Sequence, residues 1–350
     1  MLKQLCFCID DNVPKDRHII AANEGNAIAL AAGYHLATGK LPLVYMQNSG
    51  LGNSVNPLLS LCDSDVYSIP MLLIIGWRGE PGVQDEPQHV KQGKVQLDLL
   101  QIMDIPYTIF SENMQEVAKK TTEGAVSAMR ENRPFSIVVR KGTFGTYKSH
   151  SITIDDRLMT REESLEIILK RLPNNSIIVS TTGKTSREIF EIREKTGEAH
   201  FKDFLTIGSM GHCSSIALGI AIAKLDRKVI CIDGDGSLIM HMGSLSTVGK
   251  LNPKNYYHII INNYIHESVG GQATSANFVE MSHLVKANGY KYVYSTKDSS
   301  ELKNLLPNFL ENEGPAFLEL KVKPGSRINL GRPTLRPIDN KKVFMNYLKR

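Results

Sequence analysis

The sequence predicts an α/β protein of two domains, each a mainly parallel sheet flanked by helices. At 350 residues the chain is long enough for two domains of ordinary size. Short apolar runs typical of buried strands alternate with helical patterns in both halves, and strands separated by helices pair in parallel through right-handed crossovers. Between the halves, residues 141–156 are rich in Gly, Thr, Ser and Tyr. We interpret this segment as the linker and place the domains at 1–150 and 151–350.

Composition and charge argue against nucleic-acid-binding and membrane proteins. Apolar residues make up 42% and charged residues 22% of the chain, as in soluble globular proteins. The net charge of +5 comes from scattered basic residues, so we expect no nucleic-acid partner, although an anionic substrate is favoured. No apolar run reaches about 18 residues and no signal-peptide core precedes Asp10, so we expect no membrane partner. The five cysteines include no CxxC pair, which indicates reduced thiols in a cytoplasmic protein without a zinc site.

The first half alternates strand and helix patterns in a regular order. The helix predicted at 24–38 is rich in Ala and Leu and ends at Gly39, a typical helix stop. A polar loop at 77–92 follows a strongly apolar strand and fits neither periodicity. The remaining predicted elements are strands at 17–22, 41–46, 70–76 and 135–139, and helices at 53–61 and 116–130.

The second half repeats this architecture. Thr160 and Glu163 form a capping box that starts a helix. The tail beyond Lys323 is basic and contains proline, and we predict no regular core role for it. The other predicted elements are strands at 176–180, 204–207, 228–233 and 256–261, helices at 186–194, 214–224 and 238–250, and three closing segments at 278–287, 299–309 and 316–322.

A short acidic motif follows the apolar strand at 228–233. The motif is Gly234-Asp235-Gly236-Ser237, and 25 residues separate Gly236 from the pair Asn262-Asn263. Open parallel sheets bind ligands at the carboxyl ends of their strands, and flanking glycines let backbone amides approach an anion. A carboxylate, an amide oxygen and a carbonyl leave positions for phosphate oxygens and water, which suits octahedral Mg²⁺. The spacing therefore predicts a site for a divalent metal and a diphosphate rather than two unrelated turns.

The same residues carry a family resemblance. The GDGS motif followed at this distance by NN resembles the signature of thiamine-diphosphate enzymes. The segments GSMGHCSSIALGIA at 208–221 and NNYIHESVGGQAT at 262–274 resemble phosphonopyruvate decarboxylases, with sulfopyruvate decarboxylases as close relatives. The resemblance implies two thiamine-diphosphate-binding-fold domains, with the pyrimidine-binding domain at 1–150 and the diphosphate-binding domain at 151–350. It also implies a homo-oligomer, at least a dimer, whose site lies between subunits.

The resemblance assigns cofactor and metal contacts to individual residues. The implied Mg²⁺ ligands are the side chains of Asp235 and Asn263 and the main-chain carbonyl of Ile265. Met210 matches the bulky residue that holds the cofactor bent, in a glycine-rich turn that close helix–strand packing would also explain. The residues expected to contact thiamine diphosphate are Asn53, Gly208, Ser209, Met210, Gly211, Gly234, Asp235, Gly236, Ser237 and Asn263.

Three residues are candidates for proton transfer. Glu24 stands at a strand-to-helix junction, where the helix dipole alone would favour a carboxylate. The resemblance matches Glu24 to the family's catalytic glutamate, which hydrogen-bonds N1′ of the cofactor's pyrimidine. Burial beside an apolar run would raise its pKa, as that role requires. His89 is expected to relay protons, and His266 is expected to be a further catalytic residue. Without the resemblance, His89 and Arg78 are at least as well explained as solvated loop residues.

Substrate contacts are expected from loops at the carboxyl ends of strands. Asn48 lies in the polar loop after the strand at 41–46, and Arg78 can hold an anion with its planar fork. His266 and Glu267 follow the metal-ligand positions, so we expect both to point into the same cavity. We favour His266 as the substrate-facing residue.

The expected reaction is the decarboxylation of 3-phosphonopyruvate to phosphonoacetaldehyde and CO₂, a step of phosphonate biosynthesis that requires thiamine diphosphate and Mg²⁺. Three alternatives stay open: a sulfopyruvate decarboxylase, a 2-ketoacid carboligase, and a non-catalytic subunit of the same fold. The fused chain favours phosphonate, because sulfopyruvate relatives often divide the two domains between separate chains.

The start of the chain departs from the resemblance. The first residues would lie inside the first helix of the pyrimidine-binding domain, whereas relatives carry roughly thirty further residues before it. We therefore expect the first sheet to lack its N-terminal strand and to expose an edge.

Overall fold

The computed structural model describes residues 1–110, 113–148, 155–267 and 270–349. The chain divides into two units, Met1–Ser151 and Ile152–Arg350. Part of the predicted linker, 149–154, lies outside the described residues. Within the described ranges, no helix combines the length and the apolar character that crossing a membrane requires. All five cysteines fall in these ranges and are free thiols.

The described part of the N-terminal unit holds a four-stranded sheet flanked by helices. Its elements are α1 (Lys3–Asn12), α2 (Glu24–Thr38), β1 (Leu43–Gln47), α3 (Leu51–Pro57) with a π-helical turn (Leu58–Cys62), β2 (Leu72–Gly76), α4 (Pro87–Ile102), β3 (Tyr107–Ile109), α5 (Met114–Glu131) and β4 (Phe135–Val139). The strands lie in the order β1-β2-β4-β3, and every pairing is parallel. β2 is buried along its whole length because successive residues point to opposite faces of the sheet. Leu72 and Leu73, for example, pack into two different hydrophobic clusters.

Helix α2 begins and ends where the sequence predicts. Asn23 Oδ1 accepts a hydrogen bond from the amide of Asn26 at 2.9 Å, which caps the first turn. Gly39 ends the helix with a φ of +67°, a conformation that glycine adopts readily. Glu24 is therefore fixed as the first helical residue.

Two predictions for this unit are wrong in detail, and one strand was missed. Residues 17–22 are not a strand, because the amide of His18 turns back onto the carbonyl of Pro14 at 3.0 Å. The loop predicted at 77–92 is shorter, since α4 begins at Pro87, a residue that suits the first turn of a helix. The short strand β3 has no counterpart among the predicted elements.

The described part of the C-terminal unit holds a six-stranded sheet. Its elements are α6 (Arg161–Leu169), β5 (Ile177–Ser180), α7 (Lys184–Thr196), β6 (Asp203–Leu205), α8 (Cys213–Ala223), β7 (Val229–Gly234), α9 (Asp235–Met240), α10 (Ser244–Leu251), β8 (Tyr256–Asn262), α11 (Met281–Ala287), β9 (Tyr292–Thr296), α12 (Ser299–Glu311), β10 (Ala316–Lys321) and α13 (Pro337–Leu348). The order is β6-β5-β7-β8-β10-β9, again with parallel pairings. β7 and β8 are neighbours, and their register pairs Gly234 with Ile261, so their carboxyl ends lie side by side.

The helix predicted at 238–250 is in fact two helices. α9 starts at Asp235 and α10 at Ser244. Gly243 lies in the break between them, and glycine is about 1 kcal/mol less favourable in a helix than alanine. The amide of Ser244 bonds to the carbonyl of His241 at 3.0 Å, a tighter turn than an α-helix makes.

The capping box starts α6 as predicted. Thr160 Oγ1 accepts a hydrogen bond from the amide of Glu163 at 3.0 Å, which satisfies one free donor of the first turn. The edge strand β9, by contrast, was not predicted from the sequence.

The C-terminal tail is part of the packed structure, contrary to the prediction. The ring of Phe344 in α13 lies 5.4 Å from that of Phe204, centroid to centroid. Asn340 Nδ2 donates to the carbonyl of Asp203 at 3.0 Å. α13 therefore packs on β6, and its proline lies at the first turn of the helix, where it does not interrupt the hydrogen bonding.

Candidate active site

Asp235 is the first residue of α9, directly after β7, and its side chain is buried. Its Oδ2 accepts a hydrogen bond of 2.5 Å from Thr274 Oγ1, and the backbone amide of Asn263 also donates to the carboxylate. Burial raises the pKa of Asp235 to about 6, because a hydroxyl and amides carry no full positive charge to offset it. The structure therefore brings Asp235 and Asn263 into contact, as the motif spacing predicts.

The side-chain amide of Asn263 is held at both ends. Its Nδ2 donates to Glu267 Oε2 at 3.1 Å, and its Oδ1 accepts from the amide of Ile265 at 3.3 Å. Ile265 pairs with Ala273 in an antiparallel bridge, which holds the turn after β8. An amide oxygen has two lone pairs, so Oδ1 can still bind a cation.

The oxygen atoms at this sheet edge fit a hard divalent cation. Asp235 supplies a carboxylate, Asn263 a neutral amide oxygen and Ile265 a main-chain carbonyl. Mg²⁺ prefers such ligands in an octahedral set that water and phosphate oxygens complete. A cation would also stabilise the ionised form of Asp235, which burial disfavours. The residues present therefore fit Mg²⁺ bound together with a diphosphate.

The glycine-rich turn before α8 lies against this motif. Gly208 and Gly211 have φ values of +74° and +87°. The amide of Gly211 donates to Ser237 Oγ at 3.0 Å, and a Cβ at position 211 would overlap the ring of His241. Glycine is therefore required at this position for both its conformation and its size. The hydrogen bond from Gly211 therefore holds the turn beside Ser237, two residues after Asp235.

Two hydroxyl residues after β5 make hydrogen bonds to the glycine-rich turn and to Ser237. Neither residue was predicted from the sequence. Thr182 Oγ1 accepts from the amide of Gly208 at 2.7 Å, and Thr181 Oγ1 donates to Ser237 Oγ at 3.1 Å. The signal that points to them is the Ser-Thr-Thr-Gly run at the carboxyl end of β5, on the ligand-binding edge of the sheet. Met210 is half-buried in the neighbouring turn, and its role as a packing wedge stays a prediction.

The two residues after the metal-ligand positions have different surroundings. The ring of His266 packs over Gly236, where a Cβ would approach His266 Cε1 to 2.8 Å. Glu267 instead accepts hydrogen bonds from Arg161 Nη1 at 2.7 Å and from Lys184 Nζ at 2.6 Å. Burial opposes its ionisation, but these cations hold the pKa of Glu267 below its ordinary value. His266 thus lies beside the predicted diphosphate motif, whereas Glu267 is held in a charge cluster that was not predicted.

In the N-terminal unit, Glu24 is half-buried at the start of α2. Its Oε2 accepts a hydrogen bond from Asn53 Nδ2 at 2.9 Å. Gly50 lies against the same carboxylate, since a Cβ at that position would overlap it. Glu24, Gly50 and Asn53 therefore form one group just beyond the carboxyl end of β1.

Asn48 ties two strand ends of this unit together. Its side chain is buried, its Nδ2 donates to the carbonyl of Arg78 at 2.8 Å, and its Oδ1 accepts from the amide of Arg78 at 3.2 Å. These contacts join the residue after β1 to the loop after β2. Contact of Asn48 with a substrate stays a prediction.

Arg78 is paired within its own loop, which was not predicted. Its Nε donates to Asp85 Oδ2 at 2.7 Å, and its Nη2 contacts Asp85 Oδ1. The amide of Gly79 also donates to Asp85, at 2.8 Å. The hydrogen bonds from Arg78, despite partial burial, lower the pKa of Asp85 to about 2. An anionic substrate would therefore share Arg78 with Asp85.

His89 lies in the first turn of α4 and is buried. Burial, together with the charge of Arg78, lowers the pKa of His89, so its imidazole is neutral at pH 7. Its Nδ1 has no hydrogen-bond partner among the residues that the structure describes. A neutral imidazole can accept or donate a proton, and a relay through His89 stays a prediction.

Comparison with known proteins shows the family of this chain. The family model of the thiamine pyrophosphate enzyme C-terminal TPP binding domain matches residues 181–320, and that of the N-terminal TPP binding domain matches residues 8–102. Phosphonopyruvate decarboxylase of Streptomyces viridochromogenes is 32% identical, over 96% of this chain and 86% of its own length. The enzyme of the same name from Streptomyces hygroscopicus is 34% identical, over 95% and 84%. The chain belongs to the phosphonopyruvate decarboxylase family of thiamine pyrophosphate enzymes.

Membership of the phosphonopyruvate decarboxylase family confirms the predicted fold class. Thiamine pyrophosphate is thiamine diphosphate, and the two matches lie in the two units described above. The C-terminal match includes Asp235 and Asn263, and the N-terminal match includes Glu24 and Asn53. A sulfopyruvate decarboxylase of Methanosarcina acetivorans is also similar in a single chain, with 26% identity over 93% of this chain and 86% of its own.

Proposed function

We propose that this protein decarboxylates 3-phosphonopyruvate to phosphonoacetaldehyde and CO₂ with thiamine diphosphate and Mg²⁺. The observation that carries the proposal is the contact of Asp235 with Asn263 at the ends of β7 and β8. It occurs in a chain similar along nearly its whole length to two phosphonopyruvate decarboxylases. Thiamine diphosphate, when bound, supplies the electron sink that loss of CO₂ from a 2-oxo acid requires and that no side chain provides.

The C-terminal unit would hold the metal and the diphosphate. The side chains of Asp235 and Asn263 and the carbonyl of Ile265 bind Mg²⁺, because they offer the oxygen ligands that this cation prefers. The two glycine turns contact the phosphates, because glycine lets the chain approach an anion closely. The residues that make these contacts are Gly208, Ser209, Gly211, Gly234, Gly236 and Ser237, with Met210 as the packing wedge.

The N-terminal unit would hold the pyrimidine end. Glu24 hydrogen-bonds the pyrimidine N1′ and exchanges a proton there. Asn53 holds Oε2 of Glu24 at 2.9 Å, which leaves Oε1 for the cofactor. The neutral imidazole of His89 takes up or delivers protons, and we place Arg78, Asn48 and His266 around the anionic substrate.

We further propose a cytoplasmic homo-oligomer, at least a dimer, in which each site is shared between subunits. The support is the family, whose sites form between domains of different chains, as the resemblance implies. Size-exclusion chromatography with light scattering measures the oligomeric state, and a monomer that is fully active at assay concentration would contradict this arrangement.

Sulfopyruvate is the second candidate substrate, because the relative from Methanosarcina acetivorans carries both domains in one chain. Fusion of the domains therefore does not distinguish the two head groups. The discriminating property is charge, since a sulfonate carries one negative charge fewer than a fully ionised phosphonate and needs fewer cations around it.

The test is CO₂ release from phosphonopyruvate, sulfopyruvate and pyruvate, measured side by side with thiamine diphosphate and Mg²⁺. We expect kcat/KM for phosphonopyruvate to exceed both others by at least about tenfold, because the pocket must pair the extra charge. A preference for sulfopyruvate would assign the sulfonate instead. No CO₂ from any of the three, with the cofactor bound, would overturn the assignment as a decarboxylase.

A further inference from the structure

A partly buried charge cluster in the C-terminal unit reaches the Asp235–Asn263 pair. Its members are Arg161 at the start of α6, Lys184 and Glu188 in α7, and Glu267 after β8. Arg161 and Glu188 are only 5% and 1% exposed, and Arg161 donates to both oxygens of Glu188, at 2.6 and 2.7 Å. Two positive and two negative charges thus balance one another, with the Arg161–Glu188 pair buried and Lys184 and Glu267 partly exposed.

Glu267 connects this cluster to Asn263. Its Oε2 accepts hydrogen bonds from Arg161 Nη1 at 2.7 Å and from Asn263 Nδ2 at 3.1 Å. Its Oε1 accepts from Lys184 Nζ at 2.6 Å. Two cations from separate helices therefore fix the carboxylate that faces Asn263.

These contacts determine which way the amide of Asn263 points. A carboxylate only accepts hydrogen bonds, so Glu267 selects the NH₂ end. The N–H of Ile265 only donates, at 3.3 Å, so it selects the oxygen. Turning the amide over would place Oδ1 against a carboxylate and Nδ2 against an N–H, two repulsive contacts in a buried setting.

We propose that Glu267 is a positioning residue that holds the Asn263 amide with its oxygen available to the cation. Arg161 and Lys184 act through Glu267, because they hold its carboxylate in place. The inference rests on the proposed function, since the cation is the one that binds the diphosphate there. It extends the site from the sheet edge to the first turns of α6 and α7.

A purely structural role does not explain the arrangement as well. Arg161 already makes a bidentate ion pair with Glu188 and does not need Glu267 to balance its charge. Buried ion pairs also contribute little net stability compared with apolar packing. Groups that orient metal ligands, by contrast, typically change metal affinity by about 10–100-fold when they are replaced. The proposal therefore predicts an effect on Mg²⁺ affinity and not only on folding.

The first test is calorimetric titration of Mg²⁺ into the full chain with saturating thiamine diphosphate. Glu267→Gln is expected to weaken Mg²⁺ binding about 10–100-fold, because glutamine can present an NH₂ and permit the flipped amide. Asp203→Asn is the matched control. It also removes a buried carboxylate paired with an arginine, at 3.0 Å from Arg193 Nε, but at the amino end of β6. We expect this control to lose stability and to keep its Mg²⁺ affinity.

The second test changes the side chain that Glu267 faces, from the amide of Asn263 to a carboxylate. In an Asn263→Asp background, Glu267 would face another carboxylate, and Glu267→Gln would supply a donor to it. Glu267→Gln is therefore expected to weaken Mg²⁺ binding when residue 263 is Asn and to strengthen it at least about tenfold when residue 263 is Asp. A merely structural role would weaken both backgrounds.

The outcomes separate this inference from the proposed function. If the wild type shows no Mg²⁺-dependent binding of thiamine diphosphate, the proposed function fails. If the wild type binds the cofactor but Glu267→Gln binds Mg²⁺ equally well, the positioning role alone fails. The positioning role also fails alone if Glu267→Gln changes Mg²⁺ affinity in the same direction in both backgrounds. Lys184→Met covers the case in which Glu267→Gln does not fold, since Lys184 is 27% exposed. We expect it to weaken Mg²⁺ binding by a smaller factor, and unchanged binding would overturn the role of Glu267.

Discussion

At the scale of single residues, the site depends on carboxylates whose partners differ in charge. Asp235 is hydrogen-bonded by a hydroxyl and backbone amides, Glu24 by the amide of Asn53, and Asp85 by a guanidinium. The first has a buried charge that a cation can stabilise, the second has an uncharged partner, and the third is already neutralised. These differences support the proposed roles of Asp235 as a metal ligand and of Glu24 as a proton-exchange group, and they indicate a structural ion pair at Asp85.

Glu24→Gln is expected to keep the affinity for thiamine diphosphate and to lower kcat by about 10²–10⁴-fold, because glutamine cannot exchange a proton with the pyrimidine. Calorimetry measures the binding, and CO₂ release measures the rate. Glu116→Gln is the control, since Glu116 also lies in the first turn of a helix. Equal activity of both variants would show that Glu24 acts only on the helix dipole.

The Arg78–Asp85 pair predicts a pH dependence of stability. The pKa of Asp85 in the folded protein is about 2, below its ordinary value of about 3.9. A lowered folded pKa adds stability above about pH 4, and this contribution is lost as the pH falls from about 4 to about 2. Asp85→Asn is thus expected to lower the free energy of unfolding by about 1–2 kcal/mol at pH 7 and by far less near pH 2.5. Urea unfolding across this range measures it, and a constant loss at every pH would contradict the account.

At the scale of elements, the glycine-rich turn before α8 and the terminal helix α13 are held by different contacts. The turn before α8 is fixed by Gly211, whose amide bonds Ser237 Oγ at 3.0 Å. The helix α13 covers β6 with Phe344, which is 4% exposed. We therefore expect changes in the turn to affect cofactor binding and changes in the helix to affect stability.

Gly211→Ala is expected to weaken thiamine diphosphate binding at least about tenfold, because a Cβ would overlap the ring of His241 in a turn with a φ of +87°. Gly197→Ala separates strain from overlap. Gly197 also has a positive φ, +68°, but the place that a Cβ would take there is open space, with no described residue beyond its own stretch of chain within 4 Å. We expect Gly197→Ala to cost about 1 kcal/mol of stability and to leave cofactor affinity unchanged. Similar affinities for the two variants would refute the packing of the turn.

Phe344→Ala is expected to lower the free energy of unfolding by about 3 kcal/mol, because it removes a buried ring and leaves a cavity against β6. Met345→Ala, at a neighbouring residue that is 48% exposed, is expected to change it by less than about 0.5 kcal/mol. Urea unfolding of both variants is the measurement. If the C-terminal tail does not pack on the sheet, both variants would lower the free energy of unfolding by the same small amount.

At the scale of the whole molecule, the adjacency of two central strands was predictable from their long apolar runs. The runs at 228–233 and 256–261 predict two neighbouring strands, so the contact of Asp235 with Asn263 follows from the sequence. The short edge strands β3 and β9 were missed because their stability comes from a neighbouring strand rather than from their own pattern.

Long-range ion pairs are the other part that the sequence does not reveal. Arg161 and Glu267 are 106 positions apart and meet only because α6 packs near the end of β8. The partner of Arg78 lies within reach in sequence, but its bidentate contact with Asp85 depends on the loop conformation. Sequence patterns thus predict the proposed ligand atoms, whereas the residues proposed to orient them are brought together only by tertiary packing.

The central claim is that Asp235 and Asn263 jointly hold the cation through which thiamine diphosphate is bound. Calorimetric titration of thiamine diphosphate into the wild type and Asp235→Asn, each with excess Mg²⁺ and with a chelator, tests it most directly. We predict tight binding only for the wild type with Mg²⁺, and a loss of about 10–100-fold or more in the variant. Equal affinity with and without Mg²⁺, or in both proteins, would contradict the account.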